Sequence, residues 1–522
     1  MKKIIIPILI TLLFTLITFY ITLPPLNLSS FYFWLFLFFI LTVFFISYEV
    51  CKEIFTNIKI QASYKGYKKY LVFLLFPSIL IINFFFSPFF QSNTYYTRIN
   101  VQTSTFEKDI PNADFGKMPL LDKNSTTKLG DRTMGQLTNL VSQFSVSPLY
   151  TQITYNGEIS RITPLEYTNF IKWISNRNSG IPGYITVNST TGESKLIQLS
   201  SGMKYSESAY FNEDLNRKLR FSYPTDIFGY TNFETDNSGN PYWIVQVLEY
   251  KSVGMLPEVN SVIVFDPITG SSQKYSVSNV PTWVDNVYSS DLILSQLNDW
   301  GLYKNGFLNS LFTQKEVVMT TEGYNYLSMN NDIYLYTGIT SVASDEANIG
   351  FVMVNLRTKE TKFYNVSGAE EFSAMSSAKG QVQQMNYTST FPLLINLNGK
   401  PTYQLSLKDN AGLVKMYAFV DYADYQKVLV EDSSLGIEEI ARRYLSTSSP
   451  TGDTKTSSIV IENISNAILD SSTFYYIKSG DLIYKANLKT NEALLPFLKI
   501  GDTINISFIE NTLNEITEIS KQ

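Results

Sequence analysis

With 522 residues the chain exceeds what one compact domain usually holds, so several units are expected. A formal net charge of −5 leaves no cationic surplus to neutralise phosphates, which argues against nucleic acid as a partner. Histidine is absent, and the single cysteine, Cys51, can close no internal disulfide. The commonest general base, the commonest metal ligand and multi-thiolate metal sites are thereby excluded together, and no cofactor is expected.

Three apolar runs occupy residues 4–23, 31–50 and 70–90. Each is long enough to cross about 30 Å of hydrocarbon as a helix. The first follows Lys2 and Lys3 and ends in Leu-Pro-Pro-Leu rather than in small residues, so it reads as a retained signal anchor. Lys52, Lys59, Lys65, Lys68 and Lys69 lie between the second and third runs, whereas residues 24–30 carry no charge. Positive residues stay cytoplasmic, which puts the amino terminus inside and everything after Phe90 outside. Cys51 then sits at the cytoplasmic face as an idle thiol, and Asn83, Pro77 and Pro88 read as tolerated kinks rather than a pathway. An exported body without disulfides suits a bacterium with a single membrane, so the sequons at Asn188 and Asn386 are composition.

Beyond the membrane end, residues 94–106 alternate and suggest a strand. Residues 108–132 are polar and broken by Pro111, Pro119 and Gly130, so an irregular loop is expected there. In it Leu121-Asp122 and Gly130-Asp131-Arg132 look like site residues, though a salt-bridged turn is the simpler reading. A short helix over 134–143 and a pair of strands over 148–162 follow. Thr163-Pro-Leu-Glu166 supplies an N-cap, a first-turn proline and an acid, predicting a helix that ends near Asn176.

One pattern is then written repeatedly: a hairpin followed by a second hairpin. The last copy has Phe391-Pro-Leu-Leu-Ile, a turn, Tyr403-Gln-Leu-Ser-Leu, then Tyr417-Ala-Phe-Val-Asp, a turn, and Lys427-Val-Leu-Val. The others centre on Ile333-Tyr-Leu-Tyr with Phe351-Val-Met-Val-Asn, and on Tyr242-Trp-Ile-Val with Val262-Ile-Val-Phe-Asp. Tyr184-Ile-Thr-Val-Asn gives a shortened copy ahead of them. Helical segments at 212–220, 290–300 and 369–384 precede the full copies, so each sheet is expected to bury one face under its own helix. Tyr242, Tyr334 and Tyr403 hold equivalent places and are expected to fill the core. Residues 283–288 join one unit to the next. Residues 434–446 form an amphipathic helix, 447–456 a linker, and five strands follow at 458–464, 474–477, 481–486, 503–508 and 514–519. Five strands in so short a stretch fit a small barrel of the oligonucleotide/oligosaccharide-binding (OB) type, acting as a structural cap.

The units, with Asn240-Pro-Tyr-Trp243 and Asp266-Pro-Ile-Thr-Gly270, resemble the PepSY type of extracytoplasmic module over residues 163–430, best over 212–277. That resemblance implies a fold of one helix on a small antiparallel sheet, and roles in binding or restraining secreted peptidases. The whole layout, with Gly130-Asp131-Arg132 and Gly412-Leu-Val-Lys-Met-Tyr-Ala-Phe-Val420, is similar to an uncharacterised family of membrane proteins of Gram-positive bacteria. No catalytic residues come with that likeness.

The fold class expected is therefore α+β: three transmembrane helices (1–92), a β-rich membrane-proximal segment (93–162), a partial repeat (163–200), three PepSY-like repeats (201–281, 282–367 and 368–446, the last with a terminal helix) and a five-stranded OB-like barrel (447–522). The function expected is that of a membrane-anchored extracytoplasmic binding or scaffold protein without catalysis. Its partners are the lipid bilayer and another envelope or secreted protein. Two alternatives stay open. One is a cell-wall glycan hydrolase using paired carboxylates such as Asp345-Glu346 or Glu370-Glu371; the other is an accessory subunit of a membrane transport complex.

Overall fold

The first two apolar runs have no charge near their middles, so nothing interrupts backbone hydrogen bonding along them. They form the helices α1 (Lys2–Thr22) and α2 (Phe31–Thr56) in the computed structural model, with Phe19 against Phe36 at 6.1 Å. Both are long and apolar enough to cross a membrane, over Ile4–Thr22 and Phe31–Ile54. The structure describes residues 2–56, 75–155, 157–342, 344–448, 454–469, 472–509 and 513–521. Of the third run, an eleven-residue apolar helix is described, α3 (Leu75–Phe85); the lysines at 59, 65, 68 and 69 lie outside the described residues. The chain turns at Phe86 and Ser87 into α4 (Pro88–Tyr96), which accounts for Pro88: in a first turn its missing N–H costs nothing. Asn83 is more than a kink. Its amide donates to the Val253 carbonyl at 2.9 Å and accepts from Ser252 Oγ at 2.7 Å, tying α3 to the body of the protein.

The fold is mixed α+β, and contacts divide it into two units, Met1–Ser434 and Leu435–Gln522. Among the described residues the first holds four sheets built almost wholly from antiparallel strands. Sheet I comprises Phe144–Val146, Thr151–Tyr155, Glu158–Tyr167, Ile181–Asn188 and Ser194–Met203. Sheet II is the four-stranded meander Ile227–Thr235, Pro241–Ser252, Met255–Phe265 and Ser272–Ser276. Sheet III has Asn325–Met329, Asp332–Ser341, Ser344–Asn355 and Thr361–Tyr364 at its centre, and the predicted membrane-proximal strand, here Val101–Ser104, joins Thr361–Tyr364 in parallel. Sheet IV centres on Leu393–Leu397, Lys400–Lys408, Val414–Asp421 and Val428–Asp432.

Sheets I to III bury their faces mainly against neighbouring sheets, whereas sheet IV also packs on its own helix, Glu371–Gln381, whose Ala374 and Ala378 are fully buried, as the sequence pattern implied. Strand alternation sends Trp243, Val245, Ile263 and Phe265 of sheet II into a core shared with Ile153, Ile162, Tyr184 and Ile185 of sheet I. The intervening Ile244, Val262 and Val264 point the other way, into a core with Ile333, Leu335, Val352 and Val354 of sheet III. The far face of sheet III meets sheet IV through Tyr336, whose hydroxyl donates to the Pro392 carbonyl at 2.5 Å, and through Phe351 against Tyr422 at 5.9 Å. The cycle is closed by the segment expected to be an irregular loop. Asn396 Nδ2 donates to the Ile110 carbonyl at 2.7 Å and Ser406 Oγ to that of Leu120 at 2.9 Å, while Leu121 N donates to the Ser189 carbonyl of sheet I at 2.9 Å. Burial on both faces explains why these strands read as continuous apolar runs such as Val262-Ile-Val-Phe265. The first strands of neighbouring meanders also meet: Thr151–Tyr155 touches Ile227–Thr235, and Asn325–Met329 touches Leu393–Leu397.

One turn recurs at the same place in all four sheets. Asn188, Asn355 and Asp421 end a strand and Asp266 directly follows one, and the side-chain Oδ1 of each accepts the backbone N–H groups two and three residues on, at 2.8–3.2 Å. In the first three copies the chain then enters the left-handed region at Gly192, Gly270 and Lys359 (φ 78°, 76° and 65°). Aligning on this residue corrects the tyrosine equivalence. Tyr334 pairs directly with Asn355, but the residue paired with Asp421 is Thr402, so Tyr403 lies one place further on. A shift of one turns a side chain to the opposite face. Tyr403 thus corresponds to Trp243 and Leu335 and is fully buried, whereas Tyr242 and Tyr334 are half-buried.

Two local predictions fail for identifiable reasons. Thr163-Pro-Leu-Glu166 belongs to a strand: Thr163 pairs with Ile185 and Leu165 with Val146, both burying apolar surface that a free helix start would expose. The helix begins later, at Phe170–Asn176, capped by Asn169 Oδ1, which accepts from Lys172 N at 3.1 Å. The polar stretch before it holds a helix, Lys123–Gln136, capped by Asp122. The helices before sheets II, III and IV are present as Leu215–Ser222, Ser290–Tyr303 and Glu371–Gln381.

The second unit, taken by itself, has the amphipathic helix Ile437–Ser448 with Ile440, Ala441 and Tyr444 buried. Among the described residues a six-stranded sheet follows, one strand more than expected. The predicted strand over 458–464 is two strands, Thr454–Val460 and Asn463–Leu469. They part because Ile461 N donates to the Asp502 carbonyl and Glu462 N to that of Lys478, so the chain changes partners there.

Candidate ligand cavity

The innermost strands of sheets I, II and III converge. Thr151 Oγ1 accepts from Phe233 N at 3.4 Å, and Thr154 Oγ1 meets Ser328 Oγ at 3.1 Å. Above this junction lies a cavity of about 380 Å³ whose lining includes Gln152, Arg161, Tyr230, Asn232, Asn286, Ser290, Asp291, Tyr324, Tyr326 and Phe391. A larger cavity of about 590 Å³ runs over sheet I toward the turn at Ser238–Asn240, but the charged residues lining it, Glu158, Glu193 and Lys195, are exposed. The smaller cavity is the better site candidate because polar groups converge on it from several elements and some are buried.

Arg161 is the focal group. It stands directly opposite Gln152 in the hairpin of Thr151–Tyr155 with Glu158–Tyr167, and its Nη2 donates to Gln152 Oε1 at 2.9 Å. It is only 6% exposed, and among the described residues neither its Nε nor Gln152 Nε2 has a partner. Burial lowers the arginine's pKa from its ordinary value, against the raising influence of Tyr326, Asp122 and Tyr324. Tyr324 and Tyr326 form one wall, rings 5.5 Å apart and near perpendicular, and both hydroxyls bond Ser290 Oγ, at 3.0 and 3.3 Å. Burial raises the pKa of Tyr326, so the hydroxyl stays neutral.

Beneath the cavity floor are two carboxylates. Glu234 accepts from Asp285 N at 2.8 Å and from Asn286 N and Nδ2 at 3.1 and 3.0 Å. Asp285 accepts from Thr154 N at 2.6 Å. Burial raises Glu234 to about 7 against those hydrogen bonds, and Asp285 is raised well above its ordinary value by burial and then by the Glu234 charge. Both are sealed, at 0% and 2% exposure, so the pair holds the junction together rather than facing a ligand.

The residues singled out from the sequence lie elsewhere. Asp122 caps its helix and pairs with Lys408 Nζ at 2.5 Å; burial opposes the resulting fall in its pKa, but the Lys408 and Ser125 hydrogen bonds outweigh it. Gly130-Asp131-Arg132 lies within that helix instead of forming a salt-bridged turn, with both charged residues exposed. Gly130 is there for space: a Cβ would stand 2.0 Å from the Tyr150 hydroxyl. Glu370 and Glu371 part company, Glu370 at the helix N-cap and Glu371 buried beside Gly338, Asn348 and Thr321, where burial raises its pKa. The side chains of Asp345 and Glu346 lie outside the described residues. The sequence signal for Arg161 was an arginine in register with Ile159 in Glu158-Ile-Ser-Arg-Ile, where an apolar residue fits the alternation; the Glu234–Asp285 pair is 51 residues apart in sequence and left none.

No family model matches the chain, and no curated protein matches it. Among solved structures it aligns with a Trypanosoma rangeli sialidase in complex with 2,3-difluorosialic acid, a covalent intermediate, at 9% identity and a TM-score of 0.17. The alignment covers 73% of this chain and 53% of the sialidase, so the chain spans about half of that enzyme's length. A likeness at that score carries no argument.

Proposed function

We propose that the protein is a membrane-anchored extracytoplasmic binding or scaffold protein, working without catalysis on a secreted or envelope partner. The observation that carries this reading is the seam, inside the first unit, between the apolar helices and the sheet-bearing body. The uncharged connector between α1 and α2 lies along sheet II: Leu26 N donates to the Pro224 carbonyl at 2.8 Å, Gly254 N to that of Ser29 at 2.9 Å, and Arg220 Nε to that of Leu23 at 3.0 Å. The body therefore sits at the uncharged end of the helical hairpin, while Lys2, Lys3 and Lys52 lie toward the other end. By the bias of positive residues toward the cytoplasm, the body faces outward. A third span from residue 70 onward, the likeness of the sheets to PepSY modules and an OB-type terminal barrel belong to this reading. The hydrolase alternative has less support, since Glu370 and Glu371 diverge and the sealed Glu234–Asp285 pair has no access to a polymer.

Crosslinking in intact cells, followed by purification of the full chain, tests the reading. A reproducible envelope or secreted partner is the expected result. Turnover of cell-wall glycan by the purified protein, abolished by a single carboxylate substitution, would replace it with the hydrolase.

A further inference from the structure

We infer that the cavity above the junction of sheets I, II and III is a site for a small organic carboxylate of no more than one net negative charge, held by Arg161. This rests on reading the body as a binding device and names the ligand class that reading leaves open. Among the described residues the side-chain bond of Arg161 goes to the neutral Gln152 and no carboxylate is ion-paired with it, although the residue is 6% exposed. An uncompensated buried charge costs several kcal/mol, so a guanidinium kept in such a place calls for an anion. Among the described residues Arg161 Nε and Gln152 Nε2 are unpartnered; they belong to facing residues of the cavity lining and are themselves closed to solvent, so a ligand bonds them as the two side chains turn toward it. A guanidinium is a planar fork that matches a carboxylate in two parallel bonds.

The remaining lining sets the limits on charge and shape. Asp122 and Asp291 share the cavity, Asp122 already holds Lys408, and Lys123 is exposed at the rim. The buried end thus offers one positive charge, which suits a carboxylate better than a doubly charged phosphate. The tyrosine and phenylalanine walls supply apolar contact for the rest of the molecule, and about 380 Å³ falls within the range of small-molecule sites.

The test uses the full-length protein in detergent at constant ionic strength, followed by thermal unfolding and calorimetry with acetate, diglycine, inorganic phosphate and chloride. Acetate and diglycine should raise the melting temperature saturably, as a ligand bound to the native state does, with phosphate and chloride at least tenfold weaker. Gln152→Glu sets a carboxylate opposite Arg161; it should raise the melting temperature without ligand and reduce the acetate response at least tenfold. Equal responses to chloride and acetate, no saturable response to either carboxylate, or a full acetate response in Gln152→Glu would each overturn the inference. Carboxylate binding in a protein that captures no partner in cells would support the site and sink the scaffold reading alone.

Discussion

Glu234 shows how burial at a junction becomes a pH dependence. Its carboxyl is raised to about 7 from an ordinary 4.5, so between those values the folded state holds a proton that the unfolded state has released. Stability from this group is therefore complete below about pH 4.5 and is lost as pH rises through about 7. Glu234→Gln should flatten that limb: its melting temperature relative to wild type should climb from pH 5 to pH 8, and a constant difference would contradict the assignment. Gly130 offers a steric counterpart. Alanine is the better helix former by about 1 kcal/mol, yet its Cβ would collide with the Tyr150 hydroxyl, so Gly130→Ala should destabilise by about 1–3 kcal/mol. Adding Tyr150→Phe should recover part of that loss. A pair that is no more stable than Gly130→Ala alone would show that the hydroxyl is not the obstacle. Neither residue's role was readable from its neighbours in sequence, because in both cases the deciding contact comes from another element.

At the scale of the element, the four recurrent turns were legible because an Asx residue followed by its turn is local chemistry: Asn188, Asp266, Asn355 and Asp421 meet partners two and three residues away. Their tertiary weight was not. Asn355 is 2% exposed, and beyond its two backbone bonds its Nδ2 donates to Asp332 Oδ2 at 2.8 Å, a carboxylate that also receives both Nε and Nη2 of Arg357 at 2.7 Å. Asp266 makes only turn-internal bonds near the surface. Asn355→Ala should accordingly cost about 2–3 kcal/mol and Asp266→Ala about 1, read as shifts in denaturation midpoint. Equal costs would mean that the Asp332–Arg357 network adds nothing. The same contrast explains the misread helix start. Thr163-Pro-Leu-Glu166 carries a complete local capping signal, but Thr163 and Leu165 are fully buried between Ile185 and Val146, and tertiary burial overrode propensity.

At the scale of the whole molecule, hydropathy made the two long apolar helices legible, since both stand alone as local runs. The cyclic succession of sheets was not legible, because the stretch that closes it, around residues 110–122, makes its contacts with residues 72 to 286 places away. Once the connector of α1 and α2 is seen against sheet II, a single orientation decides where the whole first unit lies. The body and the charged end of α2 must be on opposite sides of the bilayer if both helices span it. Cys51, the only cysteine, lies near that charged end and is buried, so Cys51→Ser gives a background free of thiols. In it, Phe312→Cys replaces a side chain 77% exposed on the first unit. A membrane-impermeant maleimide added to sealed spheroplasts should label this cysteine at the same rate before and after lysis. A cysteine at Lys52, toward the opposite end, should react only once the membrane is opened. Labelling of Lys52→Cys in sealed cells, with Phe312→Cys protected, would invert the topology and place the carboxylate site in the cytoplasm.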